Sequence, residues 1–201
     1  LDNLTYVGGC LIIGHSRPGG NPMLQNLTGL EELININGDI SIEYNAATSL
    51  EGLEGLTSIP GSLSLDQNNS LVSLTELDNL TNIGGNLSVT RNNSLVSLTG
   101  LDNLSNIGGG FKLWLNVSLS SLSALEGVTS IGGNLKISRN DVLASLNGLE
   151  ELNYIGGDFT IINSDALTNL TGLEGLTYVG EDFTIQSNDS LINLEGLDSL
   201  S

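Results

Sequence analysis

The chain has few basic residues. Five Lys and Arg stand against 23 Asp and Glu, so the 201 residues carry a net charge of −18. Nucleic-acid binding draws most of its affinity from neutralising phosphates, and this charge balance therefore excludes nucleic acid as an expected partner. Only 14% of the residues are charged, which leaves a polar surface made mainly of Asn, Ser and Thr. This composition indicates an extracellular or cell-surface protein.

Cysteine, histidine and long hydrophobic runs are also scarce. The single Cys10 cannot form an internal disulfide, and together with the single His15 it makes neither a metal site nor a catalytic dyad. No run approaches the ~20 apolar residues that span a membrane, so we expect no membrane insertion. The Gly pairs lack the Lys-Ser/Thr of a phosphate loop, and no carboxylates form an evident acid–base pair. We therefore expect a non-enzymatic protein that needs no cofactor.

What the chain does contain is one repeated unit, which is clearest in Leu77–Gly100 (LDNLTNIGGNLSVTRNNSLVSLTG). Copies of this unit begin every 24 residues, at Leu53, Leu77, Leu101, Leu125, Leu149, Leu173 and Leu197. Two earlier copies begin at Leu30 and Leu1. A fixed period of this length indicates a solenoid, and we call each unit a rung and number its positions from 1 to 24. Because the chain begins and ends in the same phase, we expect it to be a segment of a longer repeat protein.

The positions of the rung predict the fold. Apolar residues recur at positions 1, 4, 7, 11, 13, 19 and 22, and the alternation at 11–13 predicts a strand. Positions 5–7 and 19–22 predict two shorter strands. Gly-Gly at 8 and 9, and Gly or Asn at 3, predict corners with left-handed backbone. Asn at position 16 predicts a ladder of side chains across rungs. The predicted fold is an all-β, right-handed parallel β-solenoid of about eight 24-residue rungs with three short sheets, one domain over residues 1–201.

The segments Ile83–Leu95 (IGGNLSVTRNNSL), Ile131–Asn140 (IGGNLKISRN) and Val179–Leu191 (VGEDFTIQSNDSL) show the pattern LxxLTxIGGxLxIxxNxxLxxLxG. Over the whole chain this pattern resembles the receptor L-domain family, the leucine-rich β-helical ectodomain module, and more closely the tandem-repeat surface proteins of microbes and algae. The resemblance implies a β-helical fold and a role at the cell surface. Receptor L domains also have disulfides and irregular helical caps, which this chain lacks, so the tandem-repeat proteins are the better match.

Position 2 is acidic in every rung: Asp2, Glu31, Glu54, Asp78, Asp102, Glu126, Glu150, Glu174 and Asp198. Stacked carboxylates about 5 Å apart repel by roughly 1–3 kcal/mol per pair, so something must offset the repulsion. Each carboxylate either accepts N–H groups of the following turn, or the column binds cations such as Ca²⁺. One carboxylate per rung supplies few of the six to eight oxygens that Ca²⁺ requires.

Four of the five basic residues occupy positions 12 and 15 of three consecutive rungs, close to the only Trp: Arg91, Lys112, Trp114, Lys136 and Arg139. Position 12 lies between two inward positions and therefore points outward. An exposed Trp among Arg and Lys has the composition of a binding hot spot. The alternative is that the bases relieve the acidic field and that Trp114 fills a local notch.

Two further features are a loop insertion, His15–Met23 (HSRPGGNPM), and ten glycosylation sequons, of which five are the better candidates: Asn3, Asn26, Asn68, Asn169 and Asn188.

The expected function is adhesion, recognition or a structural fibre, with a protein or glycan partner or with head-to-tail or lateral self-association. A receptor-type ligand-binding ectodomain is one alternative. Ice binding is another, because position 5 is mostly Thr or Ser.

Overall fold

The computed structural model describes residues 3–15 and 20–201 and is a β-solenoid of parallel sheets. Strands are numbered in chain order. The even-numbered strands form one eight-stranded sheet, here called the long sheet: β2 (Leu11–Ile13), β4 (Ile40–Glu43), β6 (Leu63–Asp66), β8 (Leu87–Thr90), β10 (Phe111–Trp114), β12 (Leu135–Ser138), β14 (Phe159–Ile162) and β16 (Phe183–Gln186).

The odd-numbered strands are two residues long and line a second side of the solenoid: β1 (Tyr6–Val7), β3 (Asn35–Ile36), β5 (Ser58–Ile59), β7 (Asn82–Ile83), β9 (Asn106–Ile107), β11 (Ser130–Ile131), β13 (Tyr154–Ile155) and β15 (Tyr178–Val179). From β5 onward they form a six-stranded sheet, whereas β1 and β3 form a separate pair. The long sheet is therefore continuous through eight strands, whereas the second sheet is continuous over six. The regular solenoid has about six turns with 24-residue spacing, slightly fewer than the eight that we expected. The first two turns join the long sheet, but their unequal lengths interrupt the second sheet.

Identical positions of neighbouring rungs pair with each other. Phe111 is in register with Leu87 and Leu135, and Trp114 is in register with Thr90 and Ser138. The apolar positions thereby become continuous columns that fill one core. In the rung that begins at Leu77, all seven predicted core positions are completely buried: Leu77, Leu80, Ile83, Leu87, Val89, Leu95 and Leu98. The predicted core is confirmed.

The prediction of a third strand at positions 19–22 is wrong. Within residues 3–15 and 20–201, this side shows only an isolated parallel bridge between Ser97 and Ser121. Its backbone groups form tight local turns instead, in which the Leu95 N–H donates to the Asn92 carbonyl oxygen at 3.1 Å. The Leu columns on this side are buried as expected, because burial needs only the periodic placement of the side chains and not a ladder of strands.

The left-handed residues lie at different positions from those that we predicted. Positive φ angles occur at position 15 in seven successive rungs, between 52° and 57°: Tyr44, Gln67, Arg91, Leu115, Arg139, Asn163 and Ser187. The Gly residues at positions 8 and 9 have another role. A Cβ at Gly108 would lie 2.3 Å from the carbonyl oxygen of Gly84 in the rung before. These Gly residues therefore permit close approach of neighbouring rungs.

Position 24 decides how each rung joins the next. Where it is Gly, as at Gly100 and Gly148, the backbone takes a φ of +109°. In two rungs position 24 is Glu76 or Ala124, and there the junction becomes a short 3₁₀-helix, Thr75–Leu77 and Ser123–Leu125. Residues with a Cβ avoid the left-handed region at this crowded junction, so the chain tightens into a 3₁₀ turn instead.

The Asn ladder at position 16 is confirmed. Asn68, Asn92, Asn116 and Asn140 are completely buried. The backbone N–H of Asn92 donates to Oδ1 of Asn116 in the next rung at 3.1 Å. The Nδ2 of Asn92 donates to the Leu65 carbonyl oxygen of the preceding rung at 3.0 Å. The same pair of bonds recurs at Asn68 and Asn116. Each Asn thus connects three rungs.

The ladder has one defect, at Ser164. This residue occupies position 16 of its rung and is completely buried. Its hydroxyl oxygen has no hydrogen-bond partner. The N–H of Asn140 in the preceding rung also finds no acceptor among the described residues, because the Ser side chain is shorter than that of Asn. A buried polar group without a partner costs about 1–3 kcal/mol.

We predict that Ser164→Asn stabilises the protein by about 1–2 kcal/mol, since the new amide can accept from Asn140 N–H and can donate to the preceding rung. Urea denaturation monitored by circular dichroism would measure this change. The matched variant Asn116→Ser introduces the same defect elsewhere and should destabilise by about 2 kcal/mol. If Ser164→Asn proved neutral or destabilising, the ladder would not be the stabilising element described here.

Candidate functional site

The candidate site lies on the outer face of the long sheet, in the middle rungs. We call its five predicted residues the Trp114 face: Arg91, Lys112, Trp114, Lys136 and Arg139. Lys112 and Lys136 occupy position 12 of the paired strands β10 and β12, and both are exposed. Trp114 is half-buried, in contrast to our expectation of an exposed ring, because cationic side chains lie against it.

Arg91 is held by Asp66 of the preceding rung. Its Nε donates to one carboxylate oxygen of Asp66 at 2.9 Å, and its Nη2 contacts the other, which is the bidentate geometry of a strong Arg–carboxylate pair. The hydroxyl of Thr90 donates to the same carboxylate at 2.6 Å. The hydrogen bond with Asp66 is the main cause of the raised pKa of the Arg91 guanidinium, which burial opposes in part. Arg91 is therefore a fixed positive charge.

Two aromatic rings lie beside this guanidinium. The Arg91 Cζ is 5.8 Å from the ring centre of Tyr44 and 5.4 Å from that of Trp114. The Lys112 ammonium also lies over Trp114, at 5.2 Å. Each cation–π contact of this kind contributes about 0.5–1 kcal/mol at an exposed site. Trp114 is thus positioned by two cations, which fixes the orientation of its ring.

Lys136 and Arg139 join this cluster around an open depression of about 370 Å³, which Lys112, Trp114 and Ile162 also line. The structure therefore brings all five predicted residues to one face. In the part of the chain that the structure describes, neither Lys112, Lys136 nor Arg139 has an ion-pair partner. These three charges are available to an anionic partner.

A second open depression, of about 350 Å³, lies beside the first and shares Lys112 and Lys136 with it. Gly110, Phe111, Asn86 and Asn134 also line it. Sequence reasoning missed this depression, and it also missed Tyr44 and Asp66 as members of the cluster. The FKLW segment of β10 has an unusual sequence that indicated Lys112 and Trp114. Tyr44 and Asp66 lie in earlier rungs, and the sequence around them does not indicate that they contact this segment.

The acidic column at position 2 is involved in backbone hydrogen bonding. The Gly100 N–H donates to Asp102 at 2.8 Å, and the same bond recurs in four other rungs, at Glu31, Glu54, Glu150 and Glu174. The donor belongs to the residue two positions earlier, and not to the following turn as we expected. Among the described residues, which do not include Asp2, no group of three or more Asp, Glu, His or Cys comes together that could hold a metal ion.

The column of Thr and Ser at position 5 is exposed, but several of its hydroxyls are engaged. Thr81 donates to the Thr57 carbonyl oxygen of the preceding rung at 3.0 Å, and Thr177 donates to that of Asn153 at 2.9 Å. A hydroxyl that bonds to its own scaffold has less capacity to order water. This geometry offers no specific support for an ice-binding surface.

Of the glycosylation candidates, the prediction for Asn68 is wrong. Its side chain is completely buried, and its Nδ2 donates to the Ile42 carbonyl oxygen, so a glycan cannot be attached to the folded protein there. Asn188 has a similar bond to Ile161 and is only half-exposed. Asn3 is exposed, whereas in Asn26 and Asn169 the Oδ1 accepts from the Thr of the same sequon. Residues 16–19 of the His15–Met23 insertion lie outside the described residues.

No family model matches this chain, and no curated protein is similar to it. The L-domain resemblance therefore stays a prediction, while the solenoid architecture follows from the structure itself. Within the described ranges no helix is long and apolar enough to cross a membrane.

We predict that Asp66 and Arg91 are energetically coupled by about 1 kcal/mol, as befits a bidentate pair that is only partly screened by solvent. A double-mutant cycle with Asp66→Asn and Arg91→Gln, followed by urea denaturation, would measure this coupling. The fluorescence of Trp114, the only Trp in the chain, should shift when either partner is changed. A coupling energy of zero would mean that Asp66 does not position Arg91.

Proposed function

We propose that this protein is a non-enzymatic recognition module of an extracellular or cell-surface repeat protein, which acts in adhesion through the Trp114 face. One observation carries the proposal: four of the five basic residues gather around the only Trp, on one face of a protein with a net charge of −18. Positions 12 and 15 place these four bases on the same side of three consecutive rungs.

The physical properties of this face suit binding. Trp and Arg are the residue types that most often dominate binding energy, and here the Arg91–Asp66 pair and two cation–π contacts hold the Trp in place. A preorganised surface loses little conformational entropy on binding. The three cations without ion-pair partners would attract an anionic group and raise its association rate. A glycan or a protein with negative charge fits these properties.

Self-association is a weaker candidate. Two copies that each carry −18 repel over long distances at low ionic strength. The basic face of one copy could contact the acidic column of another only against this repulsion, and that column already accepts backbone hydrogen bonds. We therefore favour recognition of a different molecule over a structural fibre.

We predict that Trp114→Ala weakens partner binding by roughly tenfold or more, the effect typical of an interface hot spot. An array of neutral and acidic oligosaccharides, together with a cell-adhesion assay, would measure binding. Tyr178→Ala is the matched control, because Tyr178 is an exposed aromatic residue on the other sheet, and it should bind normally. Binding by Trp114→Ala that equals that of the unmodified protein would contradict the proposal.

A further inference from the structure

A second ladder runs along position 10, just before each strand of the long sheet. The backbone N–H at this position donates to the side chain at the same position of the preceding rung. Ser62 N–H donates to Asp39 at 2.7 Å, and Asn86 N–H donates to Ser62 at 3.0 Å. Further along, Asp158 N–H donates to Asn134 at 3.1 Å, and Asp182 N–H donates to Asp158 at 3.0 Å. Each rung thus supplies a side-chain oxygen for the next.

Gly110 interrupts this ladder. Its own N–H still donates to Asn86 Oδ1 of the rung before at 2.7 Å, but Gly110 has no side chain that could accept from the next rung. The Asn134 N–H therefore has no acceptor among the described residues. A Cβ added at Gly110 would lie 3.3 Å from Asn134 N, so this backbone nitrogen lies beside the place where a position-10 side chain would begin.

The surroundings of this gap are cationic. The gap opens into the depression of about 350 Å³ described above, which Lys112 and Lys136 line from the two adjoining strands. Asn86 and Asn134 also line the depression, with their amides hydrogen-bonded to Gly110 and to Asp158, and no carboxylate lines it. An oxygen placed in the gap would meet a backbone N–H of the kind that elsewhere in this ladder binds Asp, Asn or Ser oxygens at 2.7–3.1 Å. The positive charges of the two lysines that line this depression favour an oxygen that carries negative charge.

We infer that this gap is a binding subsite for the carboxylate of an acidic saccharide, in which one carboxylate oxygen takes the place of the missing position-10 side chain. The depression of about 370 Å³, which Trp114 lines, adjoins the one at this gap and shares Lys112 and Lys136 with it. A sugar ring has an apolar face that stacks on an aromatic ring, whereas its carboxylate needs the cationic gap. The combination of both features favours an acidic saccharide over an acidic peptide. This inference rests on the proposed recognition function.

The test is a binding titration with oligogalacturonate, and with its methyl ester as the uncharged counterpart. Trp114 fluorescence reports binding, and calorimetry provides a second readout. The unmodified protein should bind the acid at least about tenfold more tightly than the ester, which is the size of one charge-assisted hydrogen bond. Equal binding of acid and ester, no binding of the acid, or tighter binding of an oligoglutamate peptide would overturn the inference.

Gly110→Asn is the decisive variant, because it should fill the gap with the ladder's own side chain. A Cβ there lies 2.9 Å from the Asn134 carbonyl oxygen, so the backbone must shift to admit it. We expect binding of the acid to fall roughly tenfold or more, while circular dichroism shows that the variant remains folded. Gly110→Ser is a smaller substitution that tests the same point if the Asn variant folds poorly.

Ser62→Gly is the matched control. It removes the acceptor of the Asn86 N–H and opens an equivalent gap beside Ser64 and Ser88, where position 12 carries no Lys. It should not create a second binding site. If Gly110→Asn bound normally while Trp114→Ala lost binding by calorimetry, the subsite would be wrong and the recognition function would stand. If both variants bound normally, both would be wrong.

Discussion

After each strand of the long sheet the chain must turn a corner, and the buried backbone at that corner needs hydrogen-bond partners. Asn at position 16 supplies them, since Asn92 connects its own rung to the rungs before and after it. The preceding residue, at position 15, takes a left-handed conformation even when it is Tyr, Arg or Leu. That conformation costs about 1 kcal/mol for a residue with a Cβ, and the buried bonds of the ladder offset it. The fold depends on this compensation in the rungs that have Asn at position 16.

The ladder has a consequence for function. Because the core columns and position 16 determine the fold, the residue types at positions 12, 14 and 15 vary from rung to rung. Position 12 carries a small polar residue in most rungs, such as Ser64 and Ser88. In the middle rungs, positions 12, 14 and 15 carry Lys112, Trp114 and Arg91, and one omission, Gly110, leaves a gap in the position-10 ladder. The rigid frame thereby presents one distinctive surface at fixed spacing.

The period, the buried columns and the Asn ladder could be predicted from the sequence because each depends on residue types that recur at fixed positions. The position-15 conformation could not, since Arg91 and Leu115 are residue types that normally avoid positive φ, and the constraint comes from the ladder next to them. The prediction of a third strand was wrong because Leu95 and Leu98 are buried by their periodic placement alone, without a ladder of strands. The Arg91–Asp66 pair was missed because its partners lie 25 residues apart in the chain and carry no shared motif.

The claim that the position-16 ladder holds the stack together is tested most directly by native-state amide hydrogen exchange, measured residue by residue by NMR. The amides of Asn68, Asn92 and Asn116 donate within the ladder and should exchange only through global unfolding. The amide of Asn140 is equally buried but faces Ser164, and it should exchange measurably faster through local opening at that rung. Equal protection of Asn140 and Asn116 would contradict the account, because burial alone would then stabilise the corner.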